Sequence, residues 1–161
     1  MITLPDKGPW KRKEVIGDAV LLLGDCLEIL PTLGKVDCVI TDPPYPDYYA
    51  DEYRFDANAL QCLGIERGLV FWTAKCDFPL PYSAIHIWDK KTGAGSEYER
   101  IFEIGGGKNY KVFRHYLINS TVAASFTGDQ FYGHPSQKPV ALLRDLLPRF
   151  QGVILDPFMG S

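Results

Sequence analysis

Residues 36–49 read VDCVITDPPYPDYY, and the fold turns on how this stretch divides. Val36 to Ile40 is an apolar run interrupted only by Asp37; it is rich in β-branched residues and reads as a buried strand that closes at Thr41. Asp42 follows at once, and then Pro43, Pro44 and Pro46 remove backbone donors and forbid regular pairing. A carboxylate, a stiff turn and an aromatic ring, Tyr45, are therefore delivered together at the carboxyl end of a strand.

Two more apolar runs end in the same way. VLLL, residues 20–23, runs into Gly24-Asp25, and the following CLEIL places Leu27 and Leu30 at helical spacing before Gly34 stops the helix. GVILDPFMGS, residues 152–161, predicts a strand, then Asp156, a proline turn at Pro157 and a glycine. Between them, GLVFWT (68–73) and SAIHIWDK (83–90) read as strands. Glycine clusters at 93–95 and 105–107 flank expected strands near 98–104 and 111–118, in a β-rich and less regular segment of about 91–130. A short helix is expected from about Asn58 to Leu63, ended by Gly64. A second starts near Pro139 and carries Leu142, Leu143, Leu146, Leu147 and Phe150 on one face, with Pro148 ending or bending it.

Strands alternating with helices predict a single α/β domain over 1–161 with a largely parallel sheet. Ligands of such sheets sit beyond the carboxyl ends of the strands, so Asp25, Asp42 and Asp156 are expected to share one cleft. The bulk numbers agree: 161 residues, 46% hydrophobic and 23% charged, suit one globular core. No apolar run approaches the roughly 20 residues of a membrane helix, and the N-terminus lacks the apolar core of a signal peptide, so no membrane partner and a cytoplasmic setting are expected. The cysteines at 26, 38, 62 and 76 form no CxxC pair and have no histidine at ligand spacing; reduced thiols and no metal are expected. With a net charge of −3 the chain has no global positive field, and a polyanion would need a local patch.

The stretch TDPPY, residues 41–45, resembles the catalytic motif of S-adenosylmethionine-dependent DNA amino-methyltransferases, which methylate the exocyclic amino group of adenine or cytosine. At about 5% usage per position, a four-residue match arises in roughly one chain in 1,000 of this length, so the motif needs company. It has it: HPSQKPVALLRDLL (134–147) is similar to the family's helix motif, VILDPFMGS to its cofactor loop, and IHIWDKKTGAGSEYERIFEIG to its Trp-x-Lys segment and following Glu-containing strand. The catalytic motif precedes the cofactor loop, as in the permuted β group.

The resemblance implies a Rossmann-like methyltransferase fold and S-adenosylmethionine as cofactor. Asp42, Pro43, Pro44 and Tyr45 would be catalytic. An exocyclic amino nitrogen is a poor nucleophile because its lone pair is delocalised into the ring; the Asp42 carboxylate and the Pro43 carbonyl, stiffened by Pro44, would accept its two N–H groups. Tyr45 would stack on the flipped base. Asp156, Pro157, Phe158, Gly160 and Ser161 would surround the methionine part of the cofactor, and Asp25 would approach its adenine or simply cap the following helix. Ser136, Lys138 and Pro139 would reach the methionine carboxylate through charge and the helix N-terminus, with a solvated Lys138 as the alternative. Asp at the first motif position points to adenine N6, with cytosine N4 as the alternative.

The partner implied is double-stranded DNA. Residues 104–118 carry Lys108, Lys111 and Arg114 and no acids, interleaved with Tyr110, Phe113 and Tyr116; with Lys90 and Lys91 they would line one side of a groove, or else form a solvated hairpin face. The family pattern continues beyond DPFMGS with a further glycine, a helix and a strand. The resemblance therefore implies a C-terminally truncated fold, completed by a second chain or a missing segment, with a catalytically inactive DNA-binding remnant as the rival reading. ATP and NAD are disfavoured, since neither GxxxxGK[ST] nor GxGxxG stands in context.

Overall fold

The computed structural model describes residues 4–45, 61, 64–92, 97–134 and 137–159. The helix expected near 58–63 lies almost wholly outside them, as do Ser136, Gly160 and Ser161.

The chain is mixed α/β. A hairpin, β1 (Arg12–Ile16) and β2 (Ala19–Leu23), pairs antiparallel across a Gly17-Asp18 turn. Then come α1 (Cys26–Ile29), a 3₁₀ turn (Leu30–Thr32), β3 (Cys38–Thr41), β4 (Gly68–Trp72), β5 (Ala84–Asp89), β6 (Tyr98–Ile104) and β7 (Val112–Arg114). Two helices, α2 (Thr121–Thr127) and α3 (Val140–Leu146), a 3₁₀ turn (Leu147–Arg149) and β8 (Ile154–Leu155) follow. The main sheet has six strands in the order β7-β5-β6-β4-β3-β8. β3 is parallel to β4 and β8, and β5 to β7, while β6 runs antiparallel to β4 and β5; every strand but β6 therefore points one way.

Period-2 alternation sorts the core onto two faces. Leu69 and Phe71 of β4, with Cys38, Ile40, Trp88 and Ile101, meet Leu142 and Leu146 of α3, which gives α3 its apolar stripe. Val70, Trp72, Phe102 and Ile104 point the other way, against Phe78 and Leu80 of the proline-rich loop, Tyr45 and Phe158. Each large side chain buried here contributes on the order of 1.5–3 kcal/mol.

The structure departs from the sequence expectations in several places. β2 is not in the main sheet: it pairs only with β1, whose RKEVI is exposed along nearly its whole length and carries no apolar period to announce it. The strand expected near 111–118 shrinks to Val112–Arg114, although His115 and Leu117 still donate to the Asp89 and Lys90 carbonyls and Ile118 forms an isolated bridge with Gln137. α2 was not anticipated, since Thr121, Val122 and Thr127 favour strands; its caps define it instead, with the Ser120 hydroxyl accepting from the Ala123 N–H and Gly128 ending it at φ 74°. Pro148 bends the end of α3 into the 3₁₀ turn, as expected.

Candidate active site

The stretches around Asp42 and Asp156 meet because β3 and β8 are parallel neighbours, with Cys38 opposite Ile154 and Val39 opposite Leu155. Both strands deliver their carboxylates to the same sheet edge. The Thr41 hydroxyl donates to Asp156 Oδ1 at 2.6 Å, and the Phe158 N–H donates to the same oxygen at 3.0 Å, so the turn after β8 is clamped to the end of β3. Phe158 and Tyr45 pack against the same apolar cluster.

Asp42 sits in a compact charge network. Its Oδ2 accepts from Lys138 Nζ at 2.5 Å and its Oδ1 from the Tyr45 hydroxyl at 2.7 Å. Lys138 Nζ also lies 3.3 Å from Glu99 Oε1, and Lys90 Nζ lies 3.0 Å from Glu99 Oε2. The Tyr45 hydroxyl lies in short contact with Glu99 Oε1 as well, so its one proton serves one carboxylate at a time. Two ammonium groups thus balance two carboxylates where the Glu99 side chain is only 6% exposed. Rings complete the enclosure: Lys138 Nζ stands 5.1 Å from the Phe71 centroid and 5.7 Å from that of Trp88, and Tyr45 meets Trp72 edge-on at 5.7 Å.

Burial alone would pull the Lys138 pKa down, but Asp42 and Glu99 outweigh it and hold the ammonium above an ordinary lysine. Burial would likewise lift Glu99, yet Lys138 and Lys90 bring it below the usual glutamate value. Burial pushes the Tyr45 phenol up, and the two carboxylates push it further, so it stays protonated and donates. Asp42 keeps one acceptor site on each oxygen after these partners are counted.

Beside this network a cleft of about 470 Å³ opens between the hairpin and the turn after β8. Leu21, Leu23 and Gly24 form one wall, and Asp156, Pro157 and Phe158 form the other. That volume falls within the usual range for small-molecule sites, and the lining is mixed: Arg12 and Glu14 of β1 and Asp156 stand beside the apolar residues of β2 and the turn.

The expected site residues divide accordingly. Asp42, Pro43, Pro44 and Tyr45 form the turn at the end of β3, and Asp156, Pro157 and Phe158 line the cleft. Asp25 follows the cleft-lining Gly24, but its Oδ1 accepts from the Leu27 N–H at 2.9 Å and caps α1. Lys138 is not solvated: its ammonium is held by Asp42 and Glu99. Pro139 is buried as the N-cap of α3, whose Val140 N–H donates to Asp129 Oδ2 at 3.2 Å, so the anion expected at this helix end is supplied by the chain itself.

Among the basic residues, Lys91, Lys108, Lys111 and Arg114 are exposed, Arg114 with Asp89 at 3.5 Å. Lys90 does not join them, because its ammonium is committed to Glu99 and lies 5.2 Å from the Trp88 ring centroid. Phe113 is in the core rather than among the surface aromatics. Glu99 had no assigned role in the sequence. Three glutamates, Glu97, Glu99 and Glu103, fall in the segment resembling the Glu-containing strand, and only the register of β6 decides which one reaches Asp42. Glu103 lies on the same face at the other end, 2.6 Å from His86 Nε2 and 3.3 Å from Arg149. Among the described residues, no three His, Cys, Asp or Glu side chains group as metal ligands, and no helix is long and apolar enough to cross a membrane. No protein-family model, no curated protein and no solved structure matches the chain.

Proposed function

We propose that the chain is an S-adenosylmethionine-dependent DNA amino-methyltransferase acting on adenine N6, with the six-stranded sheet as the core of a Rossmann-like methyltransferase fold. The observation that carries this reading is the convergence of the Asp42-Pro43-Pro44-Tyr45 turn with the cleft at Asp156–Phe158, joined by the Thr41 to Asp156 hydrogen bond. Asp156, Pro157, Phe158 and Gly24 would hold the cofactor, which when bound supplies a methyl group activated on a sulfonium.

Each protein group then has a defined task. Asp42 accepts one N–H of the target amino group and the Pro43 carbonyl accepts the other, drawing the nitrogen toward tetrahedral geometry and freeing its lone pair. Lys138 and Tyr45 fix the Asp42 carboxylate in orientation, and Glu99 fixes Lys138 and Tyr45 in turn. As the nitrogen forms its new bond it sheds a proton, which Asp42 can take up and pass to water. Tyr45, anchored through its hydroxyl, presents its ring to the flipped base.

The test is transfer of labelled methyl from S-adenosylmethionine to unmethylated duplex DNA, with Asp42→Ala beside the wild type and the product nucleoside identified. Label in N6-methyladenine that falls roughly 100-fold or more in the variant supports the reading. Label in N4-methylcytosine would move the substrate to cytosine, and no label from folded protein would overturn the proposal.

A further inference from the structure

Next to the charge network the surface carries aromatic rings that the transfer chemistry does not use. Phe126 of α2 is 71% exposed and Tyr116 is 41% exposed, and the two rings are neighbours, so they present a joint apolar patch to solvent. Their centroids lie 5.9 Å apart with the planes tilted by 35°, so Tyr116 backs Phe126 while leaving it open to solvent.

Lys91 Nζ stands 5.2 Å from the Tyr116 centroid. Lys91 is the one non-glycine residue with positive φ among the described residues, at 52°, held there by its N–H donating to Asp89 Oδ1 at 3.0 Å. An L-residue in that region carries strain, which persists where the surrounding structure imposes it and gathers at functional sites.

The position of this cluster is fixed by backbone pairing. His115 N–H donates to Asp89 O and Leu117 N–H to Lys90 O, so residues 115–117 run alongside 89–90. Lys90, immediately before Lys91, is bonded to Glu99 in the Asp42 network. From Ile104 to Gly128 the sequence has no Asp or Glu; in the structure Arg114 pairs with Asp89 at 3.5 Å and His115 with Asp145 at 2.8 Å, while Lys111 sits beside His86, further back along β5. Exposed rings beside a cation, here Lys91, are elements with which proteins hold unpaired nucleotides: the rings stack on bases and the cation meets a phosphate.

We infer that Phe126, backed by Tyr116 and flanked by Lys91, is a stacking platform for an unpaired base next to the target nucleotide, and that the chain binds single-stranded or locally opened DNA in preference to intact duplex. This rests on the methyltransferase reading for its placement beside the target, and the platform's binding can be measured apart from transfer.

The measurement is fluorescence anisotropy of a labelled short single-stranded oligodeoxynucleotide with the full chain, without S-adenosylmethionine, against the same sequence as duplex and as a base-free (abasic) strand. Phe126→Ala and Phe126→Leu are expected to weaken single-strand binding roughly 5- to 100-fold, while Phe126→Trp retains it. On the abasic strand these variants should match the wild type, whereas Lys108→Gln should weaken all strands alike and less at high salt. Circular dichroism checks that the variants are folded. Equal binding by wild type and Phe126→Ala, losses that persist on the abasic strand, no single-strand binding, or a change from dimer to monomer on Phe126→Ala would each overturn the inference. Binding with this pattern but no methyl transfer would sink the proposed function and leave the platform standing; transfer with Phe126→Ala binding unchanged would do the reverse.

Discussion

Lys138 stands between two carboxylates, and its charge, with that of Lys90, is what allows Glu99 to be buried near Asp42. Replacing it by Met leaves two acids without their shared cation. Breaking a fully buried ion pair in this one-sided way costs about 3–5 kcal/mol, but Glu99 keeps Lys90 and the Asp42 side chain is 35% exposed, so Lys138→Met is expected to lower unfolding free energy by about 1–3 kcal/mol in urea titrations. His86 supplies a second test. Its Nδ1 accepts from the Lys111 N–H, so Nε2 carries the proton and donates to Glu103, in a site with no solvent exposure. Burial is the main cause that lowers the His86 pKa from 6.5. The unfolded chain then binds more protons than the native one just below pH 6.5, so stability must fall as pH drops through that value. Thermal midpoints at pH 7.5 and 5.5 should show a larger loss for the wild type than for His86→Gln, which keeps a donor to Glu103 but does not titrate. Glu99, with its pKa lowered, adds an acid limb: its contribution is present above pH 4.5 and lost as pH falls below that value.

At the level of elements, backbone approach and capping decide what forms. A Cβ on Gly68 would collide with the Val39 carbonyl across the β3–β4 pairing, so Gly68→Ala is expected to cost about 1–3 kcal/mol by overpacking. Gly34 has open space around it, and Gly34→Ala should stay within about 0.5 kcal/mol; paired denaturant midpoints compare the two. β3, β4, β5 and β6 of the main sheet were legible because they are largely buried runs of apolar, β-branched and aromatic residues with proline or glycine nearby. β1 and α2 were not: one is an exposed ribbon strand and the other a short capped helix with three β-branched residues in seven, so neither has the burial period that a sequence displays.

Across the whole molecule, the hairpin and the turn after β8 face each other over the cleft. A ligand held by both should stabilise the native state in proportion to its saturation, by roughly 2.7 kcal/mol at 100 times its dissociation constant. S-adenosylmethionine is therefore expected to raise the thermal midpoint of the wild type, and Asp156→Ala, which removes both the cleft carboxylate and the bond to Thr41, should shrink that shift. An unshifted midpoint at saturating cofactor would mean that the cleft is not the cofactor site.

The sequence by itself determined an α/β chain whose strands end in Asp25, Asp42 and Asp156, because hydrophobic period and proline turns are local properties. Which groups those acids meet was decided only in three dimensions. Lys138 lies 96 residues from Asp42 along the chain and Glu99 lies 54 from Tyr45, yet they form one network. Its formation depends on the order of strands in the sheet and on the register that points Glu99 to one end of β6 and Glu103 to the other. Local spacing carries no information about that register. The two lysines expected at the ligand and at DNA, Lys138 and Lys90, both pair with the buried Glu99, because an unpaired charge in that interior would cost more than the pairing does.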